Sequence, residues 1–178
     1  SGSGHDSGRK GTITIGGVEG WDDVVSSSML WEAVLEEQGY DVEIEYQDIA
    51  VNFVGMAQGD VDLYGGAWLP NTHADYYAPY EDQLENYGAW NTEALNAIAV
   101  NEDAPIDSLA ELAEHADEFD NQIVGIEAGA GLTQITENDV IPAYGLVGMD
   151  FVTSSTPAML AELQSKIDAG ENVAVTLW

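Results

Sequence analysis

No cysteine occurs in the chain, which excludes disulfides, thiolate nucleophiles and Cys-ligated zinc. Basic residues are almost as scarce: 3 Lys and Arg stand against 33 Asp and Glu, a net charge of −30. A polyanion lacks the side chains that displace counterions from phosphates, so nucleic acid is excluded as a partner. Anionic membrane surfaces are disfavoured for the same reason. No apolar run approaches the roughly 20 residues that span a bilayer. No signal peptide opens the sequence, so the chain is expected to be mature or cytoplasmic. Proline is sparse, at 5 residues, while 45% of the chain is hydrophobic and 19 residues are glycine. That composition is globular, and 178 residues suffice for one domain or two small lobes.

The acids are spread along the whole sequence. Arg9 and Lys10 lie near its start, and from residue 11 onward Lys166 is the one remaining Lys or Arg. At low salt such a surface repels itself. At 1 M salt the screening length falls to about 3 Å and the repulsion is removed. The composition therefore points to adaptation to concentrated salt. An acidic protein made for a basic partner more often carries its acids in blocks. The scarcity of cations also constrains chemistry, because a ligand carboxylate would have to be held by backbone N–H groups, helix N-termini, hydroxyls or a histidine.

Residues 1–10, SGSGHDSGRK, have the composition of a mobile leader. They suit a spacer behind a lipid-anchored cysteine upstream of residue 1, or equally a cloning scar. Strand and helix patterns then alternate. Strand-like runs are Thr12–Ile15, Val42–Tyr46, Val61–Tyr64, Leu95–Val100, Gln122–Ile126, Phe151–Thr153 and Val173–Leu177. A helical face carries Trp31, Val34 and Leu35, with Trp31 expected in the core and Gly39 as the stop. Val51–Gln58 reads as a helix closed by Gly59. Ser108 and Glu111 have capping-box spacing ahead of Leu109, Leu112 and Ala116. Thr156 and Pro157 fit the N-cap and first position of a helix carrying Leu160, Leu163 and Ile167. Alternation of this kind gives an α/β fold, with a mostly parallel sheet flanked by helices in each lobe. The pattern divides into a leader at 1–10, a first lobe at 11–104 and a second at 105–178. The second is shorter and stops at the tip of a strand, so it is expected to be incomplete.

Several motifs fail. In Gly129-Ala130-Gly131 the third glycine of a dinucleotide fingerprint is replaced by Gln134. Lys166 follows Ser165, which breaks a P-loop. His5, His73 and His115 share no metal-ligand spacing. His5, Asp6 and Ser7 are consecutive and cannot hold triad geometry. Neither a metal nor a cofactor is expected, nor an enzyme. The runner-up from that class is a hydrolase using His73 with Asp75, and it lacks an activated nucleophile nearby.

Five tryptophans remain. Trp90 follows Gly88 and reads as structural. Trp21, Trp68 and Trp178 each stand just after a predicted strand. In open α/β sheets the carboxyl ends of strands line the ligand crevice, so these rings either face one cleft or pack along its rim. Aromatic faces attract a quaternary ammonium, which has no N–H donor and cannot lose its charge, by roughly 0.5–2 kcal/mol per ring. Betaines and choline carry this group, and an organism in concentrated salt needs osmolytes. The stretch Gly125-Ile126-Glu127-Ala128-Gly129-Ala130-Gly131 links a strand to a helix. It is either a tight turn or a place where backbone N–H groups meet an anion.

Gly20-Trp21-Asp22, the run Ala67-Trp68-Leu69-Pro70-Asn71-Thr72-His73-Ala74-Asp75-Tyr76-Tyr77, the stretch Val124–Gly131 and the run Val173–Trp178 together resemble the glycine betaine-binding proteins of ABC-type osmoprotectant importers. The resemblance runs in order from about residue 11 to the end. It implies a periplasmic-binding-protein-like fold of two lobes that close on a small ligand, with an ABC permease as partner. It implies a location outside the cytoplasmic membrane, extracellular or periplasmic and tethered to the cell surface. Carried over residue by residue, Trp21, Trp68 and Trp178 form the trimethylammonium cage. The amides of Gly125 and Ile126, with His73, hold the carboxylate. Members of that family continue past the position of Trp178. The other binding readings are a choline-binding component and a ligand-sensing lobe of a regulator.

Overall fold

The β-branched run after Gly11 forms β1 (Thr12–Gly17) in the computed structural model, which describes residues 8–178. A run of 16 residues without proline or glycine follows as α1 (Asp22–Glu37), with Asp22 and Asp23 in its first turn, where negative charge complements the helix dipole. Next come β2 (Asp41–Tyr46) and α2 (Ile49–Gln58). α2 stops where Gly59 takes the left-handed conformation, φ 81°, which costs glycine little. The short α3 (Ala74–Tyr77) and a 3₁₀ segment at Ala78–Gln83 complete this unit. β1 and β2 pair in parallel from Thr12↔Asp41 to Gly17↔Tyr46. The expected strand at Val61–Tyr64 reduces to one bridge, Ile15↔Leu63, alongside β1.

Asn52 ties this unit together. It is fully buried and its Nδ2 donates to the carbonyls of Gly17 (2.9 Å) and Gln47 (3.2 Å), while its Oδ1 accepts from Gln47 Nε2 (2.9 Å). Buried amides require such complete pairing. α1 seats on β1 through Val24 and Ser28, whose hydroxyl donates to the Gly16 carbonyl. The small side chains set the inward face. Trp31, expected in the core, is instead 43% exposed, and Val34 on the same face is 42% exposed.

The second unit runs from Gly88 to Trp178. It contains β3 (Ala97–Val100), a 3₁₀ segment at Leu109–Phe119, β4 (Gln122–Val124), α4 (Gly131–Ile135), a π-helical turn at Thr136–Val140 and α5 (Ile141–Ala143). β5 (Asp150–Val152), α6 (Thr156–Asp168) and β6 (Ala174–Leu177) follow. Strand order is β3-β6-β4-β5. β4 is parallel to both β5 and β6, and β3 runs antiparallel to β6. The core gathers Leu112, Phe119, Ile123, Leu146 and Ala174.

Several expectations need correction. The boundary falls between Tyr87 and Gly88, not between 104 and 105, because β3 is hydrogen-bonded to β6 and belongs to the second sheet. Arg9 and Lys10, expected in the leader, are instead bonded to the first unit. The Lys10 amide donates to Gly39 (2.9 Å), its ammonium stands 5.5 Å from the Tyr40 ring, and Arg9 pairs with Asp41. His5, Asp6 and Ser7 lie outside the described residues. Ser155, not Thr156, caps α6, since its Oγ accepts from Ala158 N. The inward face of that helix is Thr156 and Met159, while Leu160 and Ile167 are 44% and 49% exposed. Trp90, expected to be structural, is 65% exposed.

Candidate functional site

In the first unit, Trp21 stands at the N-cap of α1, where the chain turns from the carboxyl end of β1 into the helix. Its carbonyl accepts the Val25 amide (2.9 Å) and its side chain is 7% exposed. Trp68 and His73 are clasped to each other across five residues. The Trp68 amide donates to His73 Nδ1 and the His73 amide donates to the Trp68 carbonyl, both at 2.9 Å. The indole N–H of Trp68 in turn reaches Asp23 Oδ2 in the first turn of α1 (3.3 Å). That contact brings Trp68 to the helix end where Trp21 stands, so three of the predicted site residues meet in one unit.

The clasp also fixes the chemistry of His73. Nδ1 faces a donor, so in the neutral ring the proton sits on Nε2. The ring is 4% exposed and lies among Phe53 and Tyr76, with centroids at 6.3 Å to each. Burial lowers its pKa to about 4, against the opposing pull of the Asp23 charge. At neutral pH His73 is therefore an uncharged Nε2–H donor. A triad-type base needs Nδ1–H directed at a carboxylate. Here Nδ1 is an acceptor, which removes the basis for a His73–Asp75 hydrolase.

In the second unit, β4 and β6 are parallel with Val124 opposite Val175. The stretch from Gly125 to Gly131 and Trp178 therefore leave the same edge of one sheet. Trp178 is 36% exposed and Ile126 is 2% exposed. Gly125 departs from expectation: its amide donates to the Val152 carbonyl at 2.7 Å and continues the β4–β5 ladder. Its lack of a side chain is explained by packing, because a Cβ would lie 2.6 Å from Phe151 Cε1. Farther along, Glu127 accepts from the Thr156 amide (3.0 Å) and hydroxyl (2.7 Å). This anchors the loop to the start of α6.

The glycine-rich stretch then enters α4, whose first N–H groups have no intrahelical acceptor. Ala130, Gly131, Leu132 and Thr133 are all buried there. The hydroxyls of Thr133 and Thr176 are buried without a hydrogen-bond partner, and unmatched buried polar atoms require a reason. Sequence reasoning passed over Asp23, Thr133 and Thr176. The available signals were their spacings: two residues after Trp21, two residues after Gly131, and the same strand face as Trp178.

Residues 11–178 match the family described as the substrate-binding domain of ABC-type glycine betaine transport systems. The glycine betaine, L-proline-binding protein ProX of Borrelia burgdorferi superposes with a TM-score of 0.87 at 32% identity, covering 94% of this chain and 63% of that one. Lactococcal OpuAC, closed on glycine betaine, gives 0.85 at 29% identity, with 94% and 64% covered. A choline-binding protein of an ABC transporter, in complex with choline, gives 0.85 at 25% identity, with 94% and 59% covered. The chain thus spans about three fifths of the length of these solved proteins. The α/β architecture, with parallel strands and flanking helices, is that of a periplasmic binding protein.

Proposed function

The chain belongs to the substrate-binding domains of ABC-type glycine betaine transport systems, and on that premise we propose that it captures glycine betaine or a close quaternary ammonium relative and delivers it to an ABC permease. The family is one of transport proteins acting outside the cytoplasm, not of enzymes. Among the described residues no helix is long and apolar enough to cross a membrane. Attachment to the outer face of the cell membrane would come from an anchor upstream of residue 1.

Trp21 and Trp68 supply aromatic faces for the methylated nitrogen in the first unit, and Trp178 is the aromatic candidate of the second. His73 donates Nε2–H to the carboxylate. The backbone donor of the second unit is Ile126, since the Gly125 amide donates to the Val152 carbonyl. The observation that most supports this reading is the Trp68–His73 clasp. It presents a cation-attracting ring and an uncharged donor from one six-residue segment, as a zwitterion with a methylated nitrogen and a carboxylate requires.

Calorimetric titration of glycine betaine, proline betaine and choline in molar salt tests the proposal. Saturable binding of at least one is expected. Trp68→Ala is expected to weaken it by about 1 kcal/mol or more, the scale of one lost cation–π contact. Unchanged affinity would remove Trp68 from the site. Choline is the second reading, favoured by the Asp23 carboxylate against the Trp68 indole, since choline brings a cation without a carboxylate of its own.

A further inference from the structure

We propose that Asp23 is a positioning residue for Trp68, holding the indole by its N–H edge and setting a fixed negative charge beside the ring that tunes the choice between a net cation and a zwitterion. The proposal rests on the quaternary-ammonium reading above for its ligand and on the ligand-free geometry for its mechanism.

Indole can rotate about two side-chain torsions, and its attraction for a cation depends on which face it shows. A backbone clasp to His73 fixes the main chain of Trp68 but not the ring. The hydrogen bond from Nε1 to Asp23 Oδ2, at 3.3 Å, supplies that missing restraint. It crosses 45 residues of sequence, so it also fastens the loop carrying Trp68 to the first turn of α1. The charge of Asp23 is felt locally: it opposes the lowering of the His73 pKa and adds to the raising of that of Tyr64. Hydrogen-bond donation to an ionised acceptor polarises the donor, which enriches the indole face in electron density. A fixed negative charge beside the ring attracts the ammonium of any quaternary ligand. It also repels the carboxylate of a betaine, so its net effect is larger for choline.

Two measurements test this. In the ligand-free chain, the Trp68 indole proton resonance, identified by its loss in Trp68→Phe, is expected to move in Asp23→Ala towards the positions of the exposed Trp31 and Trp90. A resonance that stays in place overturns the positioning role, whatever the ligand. For selection, Asp23→Asn keeps an acceptor oxygen and removes the charge. Choline affinity is expected to fall about tenfold, ~1.4 kcal/mol, and glycine betaine affinity by about threefold or less, since the opposed charges of a zwitterion partly cancel. Asp23→Glu, which restores the charge, is expected to recover the wild-type ratio. Equal losses for both ligands, or none, overturn the charge role. If the wild-type chain binds neither ligand, the transport reading fails, and the indole resonance alone decides the role of Asp23.

Discussion

At the residue scale, His73 shows what burial does to one side chain. Its folded pKa of about 4 lies below the ordinary value of 6.5, so the folded state favours the neutral ring. The associated stability is complete above pH 6.5. It declines as the pH falls, because the unfolded chain takes up the proton first, and it levels off below about pH 4. The full effect is on the order of 3 kcal/mol. His73→Asn keeps an acceptor for the Trp68 amide and removes the titrating group. Urea unfolding of both proteins between pH 7 and 4 is expected to show a steeper loss in the wild type, with parallel profiles as the result that would contradict it. That Trp21, Trp68 and His73 fall in one unit, with Trp68 bonded to His73 and to the first turn of α1, was legible because their neighbours form an ordered motif. Asp23, Thr133 and Thr176 were not, because their importance lies in what a distant segment does or does not offer them. At Gly125 a glycine after a strand signals close approach, and the structure shows Phe151 beside it and the Val152 carbonyl on its amide.

At the element scale, local signals survived where chemistry is local. Ser108 and Glu111 cap the Leu109–Phe119 segment as their spacing implies: the Glu111 carboxylate accepts the amides of Asp107 and Ser108, and Ser108 Oγ accepts that of Ala110. The segment is 3₁₀, and burial of Leu112 and Phe119 accompanies the tighter winding. Helix faces fared worse. α1 seats through Val24 and Ser28, not through its largest apolar residues, and periodicity alone cannot weigh a close backbone approach. Glu127 joins two elements that sequence treats separately. Glu127→Ala removes its two bonds to Thr156, and a loss of about 1–2 kcal/mol is expected. Denaturant midpoints in molar salt measure it, and a midpoint equal to that of the wild type would show that the anchor contributes nothing.

At the scale of the whole molecule, charge dominates. With a net charge of −30, self-repulsion reaches about 10 Å at 0.1 M salt and about 3 Å at 1 M. The melting temperature is therefore expected to rise steadily from 0.1 M to molar NaCl and to rise equally in KCl. A flat profile would contradict adaptation to concentrated salt. The α/β class and the division into two units were legible from strand–helix alternation. The position of the division was not, because β3 joins β6 across more than seventy residues, and such pairing leaves no trace in local pattern.

Lys166 is held by Asp120 and, at 3.1 Å, by Glu171, in the last turn of α6. Beyond residue 10 it is also the one place in the chain where trypsin can cut. A protease that dissects most proteins in minutes thus meets a single internal target, pinned in a helix. Cleavage after Lys166 requires that helix end to open, so the rate of that cut, followed at different ionic strengths, serves as a clock for local opening.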